Sequence, residues 1–263
     1  MCRHLAYIGP PLSLKELLLD PPHGLYRQSW APRRQRYGTV NADGFGVGWY
    51  AAGDPVPARY RRSIPIWNDE SLPDIARVTR SAAVVAAVRS ATPGTAAGAA
   101  AAAPFGAGRW LFSHNGAVEN WRQLESRISV RDIDVLSDSA VLWALVLRLL
   151  RAGAGPGAAL AAVIAETEAA GSAGRFNFLL ADGRSVFATA AGDTLCYRQA
   201  DGAVTVASEP CDDGPAWTDV PDRHLLTCSA GRVTVTPLDA ILTSAPASDP
   251  ATGLTSGEGV VLP

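Results

Sequence analysis

The sequence has few cysteines, and they are scattered along the chain. They are Cys2, Cys196, Cys211 and Cys228. The closely spaced pairs of a zinc site are missing, and four cysteines in 263 residues are too few for a disulfide scaffold. We expect reduced thiols, with Cys196, Cys211 and Cys228 in ordinary buried positions. Nucleotide, flavin and metal fingerprints are missing too, so no cofactor and no metal are expected.

An excess of charge of one sign and long apolar runs are also missing. The 23 Lys and Arg residues nearly balance the 25 Asp and Glu residues, and no basic stripe could neutralise a row of phosphates. No stretch reaches the roughly 18 apolar residues of a membrane span, and the start, MCRHLAYIGPP, lacks the apolar run of a signal peptide. We expect a cytoplasmic protein that binds neither nucleic acid nor membrane. Whether it is a homo-oligomer stays open.

The pattern of apolar segments predicts a large α+β domain. With 48% hydrophobic and 18% charged residues, the chain can bury one full core. Strands are predicted at Leu5–Ile8, Phe45–Tyr50, Val84–Val88, Trp110–Ser113, Phe176–Ala181, Val186–Ala190, Thr194–Arg198 and Ala203–Ala207. Turn signals separate the last four strands and predict an antiparallel meander. Helices are predicted at Leu12–Leu19, Ser71–Ser81, Asp138–Leu150 and Ala158–Ala169.

The predicted elements suggest stacked sheets covered by helices. Asp138–Leu150 is apolar almost all round, so we expect that helix to be sandwiched between layers. The Ala-, Gly- and Pro-rich stretch Pro93–Pro104 is predicted to be a loop. The small, polar residues that follow Ile241 predict a disordered tail. The predicted division is a folded domain over residues 1–242 and a tail over 243–263.

Cys2 follows the initiator methionine directly. Aminopeptidases usually remove Met before a small residue, which would leave Cys2 with a free α-amino group. That group has an ordinary pKa of about 7.7–8.0, so at neutral pH it can take the thiol proton, directly or through a water. Position alone favours chance, because cysteine is an allowed second residue. A catalytic role needs support from other residues.

That support comes from polar residues at the ends of predicted elements. Asn115-Gly116 follows an apolar run, and an Asn amide beside a backbone N–H can form an oxyanion hole, although the pair also fits a plain turn. Arg89 ends a strand and suits a carboxylate, or a surface salt bridge. Asp138 stands before the apolar helix, where either it or its neighbour Ser137 caps the helix, or Asp138 accepts a substrate ammonium. Together with Cys2, these residues match the three handles of a glutamyl group: scissile carbonyl, α-carboxylate and α-amine.

Five motifs occur in a fixed order: MCRHLAYIG, NADGFGVGWY, VRSAT, LFSHNG and SDSAVL. In these motifs the chain resembles the class II (N-terminal Cys) glutamine amidotransferases. Within that family it is most similar to the amidohydrolases of actinobacterial ergothioneine biosynthesis, through LLLDPPHGL, WAPRRQ, ASEPCDD and VPDRHLL. The similarity extends from about Met1 to Leu238.

The resemblance implies an α+β fold of the N-terminal-nucleophile (Ntn) hydrolase type, a four-layer αββα sandwich of two antiparallel sheets. It also implies roles for individual residues. These are the nucleophile Cys2, with its amine as base; the oxyanion-hole residues Asn115 and Gly116; the carboxylate clamp Arg89 and Thr92; and the glutamate-amine site Asp138 with Ser139.

The implied reaction is hydrolysis of the small molecule γ-glutamyl-hercynylcysteine S-oxide to glutamate and hercynylcysteine S-oxide, through a Cys2 thioester. One departure is Pro93-Gly94, where many members have a His-Gly pair. Since the hydrolase motifs occupy most of the 263 residues, we expect simple hydrolysis and no fused synthetase domain. The alternatives are a glutaminase subunit that supplies ammonia to a separate synthetase, and a non-catalytic binder of γ-glutamyl metabolites.

The leaving half of the implied substrate carries a trimethylammonium and an imidazole. An aromatic and acidic wall can hold such a group by cation–π contact. The candidates are Trp30, Tyr37, Phe45 and Trp49, with Asp43 nearby, although the alternation in GFGVGWY also fits core packing. Ser208-Glu209-Pro210 is a further family motif, but its charge and spacing do not indicate its role.

Overall fold

A computed structural model describes residues 2–91, 98–229 and 231–244, with nothing described for the side chain of Ser244. The described strands are β1 (Arg3–Ser13), β2 (Phe45–Trp49), β3 (Ala58–Arg62), β4 (Arg80–Val88), β5 (Phe105–Ala107), β6 (Trp110–Asn115), β7 (Asn177–Ala181), β8 (Ser185–Ala190), β9 (Cys196–Ala200), β10 (Ala203–Ala207), β11 (Trp217–Asp219), β12 (His224–Ser229) and β13 (Arg232–Pro237). They form a seven-stranded sheet, β11-β9-β10-β1-β4-β2-β3, and a six-stranded sheet, β13-β12-β8-β7-β6-β5. The pairings between these strands are antiparallel.

Helices cover the outer face of each sheet. Against the seven-stranded sheet lie α1 (Leu14–Leu18), α2 (Leu25–Gln28) and α3 (Leu72–Val78). Against the six-stranded sheet lie α4 (Asp138–Arg151), α5 (Pro156–Ala169) and α6 (Leu238–Ser244). Short 3-10 helices span Ile66–Asn68, Ala99–Ala101, Trp121–Arg127 and Val130–Asp132. The expected four-layer αββα sandwich of two antiparallel sheets is confirmed.

Alternation along the strands produces these layers, because successive side chains of a strand point to opposite faces. In β1, Leu5 and Tyr7 pack with the helical layer, whereas Ala6 and Ile8 pack between the sheets. The layer between the sheets consists mainly of alanine, valine and leucine. At Gly48 a Cβ would lie only 2.7 Å from a methyl carbon of Leu111 on the opposite sheet, so the two sheets approach closely.

The predicted four-stranded meander is wrong. The hairpin β7–β8 belongs to the six-stranded sheet, while β9–β10 belongs to the seven-stranded sheet. The connection between them crosses from one sheet to the other, and the buried Asn177 side chain fixes it. Its Oδ1 accepts the N–H groups of Ala191 and Asp193, and its Nδ2 donates to the Asp193 and Thr194 carbonyls. Turn residues in the sequence predict that the chain reverses direction, but they do not predict which sheet the next strand joins.

The helices differ from the predictions mainly at their ends. The first begins at Leu14 and not at Leu12, because Ser13 forms a capping box with Glu16. Asp138–Leu150 is largely buried, as predicted, but it is not sandwiched between layers: α4 lies beside α5 in the outer helical layer, and both helices contact the six-stranded sheet. The predicted domain end at residue 242 falls inside α6, and the tail beyond Ser244 lies outside the described residues. Within the described segments, no helix is both long and apolar enough to span a membrane.

Candidate active site

Cys2 lies at the head of β1, a central strand that pairs with β4 and β10. Its thiol donates to the Ser90 carbonyl at 3.8 Å. Cys2 lines a small cavity together with Arg89, His114 and Ser139. The fold therefore brings together residues that are far apart in the sequence, and three of the four were predicted site residues.

The Cys2 thiol is protonated in the resting site. Burial raises its pKa above the ordinary value of 9.0, although the nearby Arg89 charge acts in the opposite direction. A thiol of this kind is a weak nucleophile until a base removes its proton. The site therefore needs a base next to the sulfur at the moment of attack.

The raised pKa predicts how Cys2 reacts with iodoacetamide. Because the thiolate fraction increases until the pH exceeds the folded-state pKa, the alkylation rate should still be rising at about pH 9. Intact-protein mass recorded over time between about pH 7 and pH 10 measures this rate. The Cys2→Ala protein is the control and should gain no adduct, since Cys196, Cys211 and Cys228 are buried. A plateau below about pH 8 would contradict the expectation.

The other three cysteines are buried, as the sequence predicted. Burial raises the pKa of both Cys211 and Cys228 to about 12. These thiols therefore stay protonated and unreactive. In the described part of the chain, no group of His, Cys, Asp and Glu side chains is arranged to hold a metal ion.

Asn115 and Gly116 form a turn at the end of β6. Asn115 is fully buried, and its Nδ2 donates to Ser208 Oγ at 3.5 Å. The same hydroxyl accepts the His4 N–H at 3.0 Å, so Ser208 links the start of the nucleophile strand to Asn115. A Cβ on Gly116 would lie 2.0 Å from the Arg175 carbonyl oxygen. Only glycine fits there.

His114 positions Ser139 and is not a free base. Its Nε2 contacts the Arg175 carbonyl at 2.8 Å, which requires a proton on Nε2, so Nδ1 accepts from Ser139 Oγ at 2.9 Å. Burial lowers the pKa of His114 below its ordinary value of 6.5, so the ring is neutral at pH 7. The sequence indicated only a turn at His114, because its role depends on contacts far along the chain.

The sequence left open whether Asp138 or Ser137 caps α4, and the structure answers this. Ser137 is the N-cap of α4 and accepts the Ala140 N–H at 3.2 Å. Asp138 is buried in the first turn, where its carboxylate accepts the Ser139 N–H at 2.7 Å and the Val118 N–H at 3.3 Å. Since Ser137 caps the helix, Asp138 holds a buried negative charge beside Ser139.

Arg89 is buried at the end of β4. Its N–H donates to the Gly44 carbonyl at 2.8 Å, and its Nη1 donates to the Asp43 carbonyl at 3.4 Å. The Asp43 carboxylate accepts the Ala91 N–H at 2.7 Å. These contacts make Asp43 a support for the Arg89 segment. Thr92 lies outside the described residues.

The four aromatic candidates for the leaving-group wall occupy two environments. Phe45 is fully buried in the core under the first helical layer, and Trp49 packs against the same core. For these two, core packing is the correct interpretation. Trp30 packs edge-on against its neighbouring aromatic rings, and Tyr37 is 57% exposed with the Arg175 guanidinium 4.7 Å from its ring centre.

Comparisons with known proteins identify the family of this chain. The class-II glutamine amidotransferase family matches residues 25–201. A γ-glutamyl-hercynylcysteine sulfoxide hydrolase of Mycolicibacterium smegmatis is 45% identical over 239 residues, which cover 90% of this chain and all of that protein. A protein of the same name from Mycobacterium tuberculosis is 43% identical, with 91% and 97% of the two chains covered.

Solved structures show the same architecture. The structure of a glutamine aminotransferase class-II domain protein from Silicibacter pomeroyi superposes with a TM-score of 0.64 at 26% identity, and the match covers 90% of this chain and 99% of that one. The fold and the relatives agree with one another. The chain is an amide-hydrolysing enzyme of the Ntn-hydrolase fold, and it belongs to the class II glutamine amidotransferase family.

Proposed function

We propose that this enzyme hydrolyses the γ-glutamyl amide bond of γ-glutamyl-hercynylcysteine S-oxide and releases glutamate and hercynylcysteine S-oxide. The observation that carries the proposal is the cavity where the Cys2 thiol meets Arg89, His114 and Ser139. The names of relatives that are 43–45% identical over nearly their whole length support the leaving half of the substrate. Within this proposal, the enzyme acts in ergothioneine biosynthesis.

The proposed reaction begins at Cys2 after removal of Met1. Its α-amine takes the thiol proton, and Sγ attacks the γ-carbonyl carbon. The oxyanion accepts hydrogen bonds from Asn115 Nδ2 and the Gly116 N–H. The protonated amine then gives its proton to the leaving nitrogen as the C–N bond breaks. Water hydrolyses the resulting Cys2 thioester and frees glutamate, so the kinetics are ping-pong.

Two charged side chains, one lining the cavity and one next to its lining residue Ser139, suit the zwitterionic end of glutamate. The Arg89 guanidinium can bind the α-carboxylate in a bidentate fork, and Thr92 is proposed to add its hydroxyl. The buried Asp138 carboxylate supplies the countercharge for the α-ammonium, next to Ser139, whose hydroxyl His114 orients. In this arrangement the neutral His114 orients the Ser139 hydroxyl, while the buried Asp138 supplies the charge that binds the α-ammonium.

Glutamate release from γ-glutamyl-hercynylcysteine S-oxide and from glutamine tests the proposal. We expect kcat/KM to favour the hercynyl substrate by about 10²-fold or more, because the leaving half adds binding energy in the transition state. Diazo-oxo-norleucine should add once, at Cys2, to protein that lacks Met1, as intact mass would show. A preference for glutamine would indicate an ammonia-supplying subunit. Retained Met1 without an adduct would indicate a binding protein.

A further inference from the structure

Glu209 forms a buried ion pair with Arg3, the residue that follows the nucleophile Cys2 in the sequence. Its side chain is 1% exposed, and its Oε2 lies 3.7 Å from Nη1 of Arg3, which is 0% exposed. Buried charges are costly unless a partner compensates them. The pair therefore needs an explanation, and none of the steps of the proposed reaction uses it.

Arg3 connects this ion pair to Cys2. Its Nε donates to the Cys2 carbonyl oxygen at 2.9 Å. Among the described residues, its two terminal nitrogens find no hydrogen-bond acceptor at all. The Glu209 carboxylate is thus the charge that holds the guanidinium in place, and the guanidinium fixes the carbonyl of the nucleophile residue. The direction of that carbonyl determines where the sulfur and the nitrogen of Cys2 point.

On its other side Glu209 holds an irregular segment, residues 30–40, which we call the strap. Oε1 accepts the Arg33 N–H and Oε2 accepts the Arg34 N–H, each at 2.8 Å. Two successive backbone donors on one carboxylate make strong, charge-assisted hydrogen bonds. The same side chain therefore anchors the strap and neutralises Arg3.

The strap lies next to the oxyanion turn. Tyr37 in the strap stacks under the Arg175 guanidinium, and the Arg175 carbonyl contacts both His114 and the Gly116 position. The remaining anchors of the strap include ion pairs at the surface, such as Arg33 with Asp213 at 2.6 Å. Exposed pairs of this kind contribute little, so the buried Glu209 contact dominates.

We propose that Glu209 is a positioning residue for the amidohydrolase reaction. Through Arg3 it fixes the nucleophile, and through the Arg33 and Arg34 N–H groups it holds the strap beside the oxyanion turn. The inference rests on the proposed function in one respect, the role of Cys2 as nucleophile. It also gives a role to the Ser208-Glu209-Pro210 motif.

The test is the rate at which diazo-oxo-norleucine modifies Cys2 in the full-length Glu209→Gln protein. The amide side chain of this variant would keep one acceptor oxygen but place an NH₂ group against a second N–H, and it would leave Arg3 without its counterion. We expect modification to slow by about 10²-fold, the usual effect of a small misplacement of a reacting group. kcat should fall for both the hercynyl substrate and glutamine with little change in KM, because the nucleophile and the oxyanion turn act on both substrates.

Asp213→Asn is the matched control, since it makes the same carboxylate-to-amide change at an exposed strap contact. In this variant diazo-oxo-norleucine should modify Cys2 at the wild-type rate. All rates are compared at a temperature well below each variant's unfolding midpoint. If Glu209→Gln does not fold, Glu209→Asp keeps the charge with a shorter reach and should still slow modification by about 10-fold. A folded Glu209 variant that reacts at the wild-type rate would overturn the inference. Failure of the wild-type protein to react would instead overturn the proposed function.

Discussion

Replacement of Cys2 by alanine should lower kcat/KM for the γ-glutamyl substrate by about 10⁴-fold or more. The change removes the sulfur that forms the thioester, and the other three cysteines are buried elsewhere with protonated thiols. Glutamate release in steady state measures the loss. The variant should still fold, because Cys2 keeps part of its surface exposed and is a free cysteine.

Cys228→Ala is the control for that result. It also deletes a thiol, but from the layer between the sheets, and it should retain activity with a lower unfolding temperature.

A variant in which Met1 is retained should be inactive although Cys2 is present, because the α-amine is then part of a peptide bond and cannot act as a base. Full activity in Cys2→Ala would disprove the thioester mechanism.

Replacement of Asn115 by alanine should lower kcat by about 10²–10³-fold, the typical cost of losing one oxyanion donor. The Asn115 Nδ2 group donates only a long hydrogen bond within the described residues, to Ser208 Oγ at 3.5 Å, so it has capacity for a better acceptor. An oxyanion provides that acceptor only in the transition state. KM should therefore change little, and steady-state kinetics with the hercynyl substrate measure both constants.

The exposed Asn68 offers a control, since Asn68→Ala removes an amide of the same type in a surface 3-10 helix. It should leave kcat and KM unchanged. An Asn115→Ala variant with a raised KM and a normal kcat would mean that Asn115 binds the ground-state substrate, and the oxyanion assignment would then be wrong.

The sequence predicts well what depends on local pattern. Leu5–Ile8 and Val84–Val88 have a strand pattern of their own, and Arg89 and Asn115 lie at strand ends, where side chains reach a site. Short edge strands such as β3, β5 and β11 were missed, because a few residues of mixed polarity show no regular alternation of apolar and polar side chains. The crossing between β8 and β9 was missed because Asn177 fixes it from outside the turn.

The rest of the site depends on long-range contacts that have no sequence signature. The role of Glu209 comes from two backbone N–H groups about 175 positions away, and backbone groups do not appear in a motif. His114 looked like a turn residue because its partners, Ser139 and the Arg175 carbonyl, are supplied by other elements. Phe45 was an aromatic candidate until its strand proved to face the core.

The close approach of the two sheets has a consequence for catalysis. Cys2 directly precedes β1 of the seven-stranded sheet, and Asn115 ends β6 of the six-stranded sheet, so the distance from the attacking sulfur to the oxyanion donor depends on the spacing between the two sheets. Ala6 and Gly48 keep that interior thin. A larger side chain at either position would act as a spacer that pushes donor and nucleophile apart. Substitutions that fill the interior to raise thermal stability would therefore lower the catalytic rate, even with every catalytic residue intact.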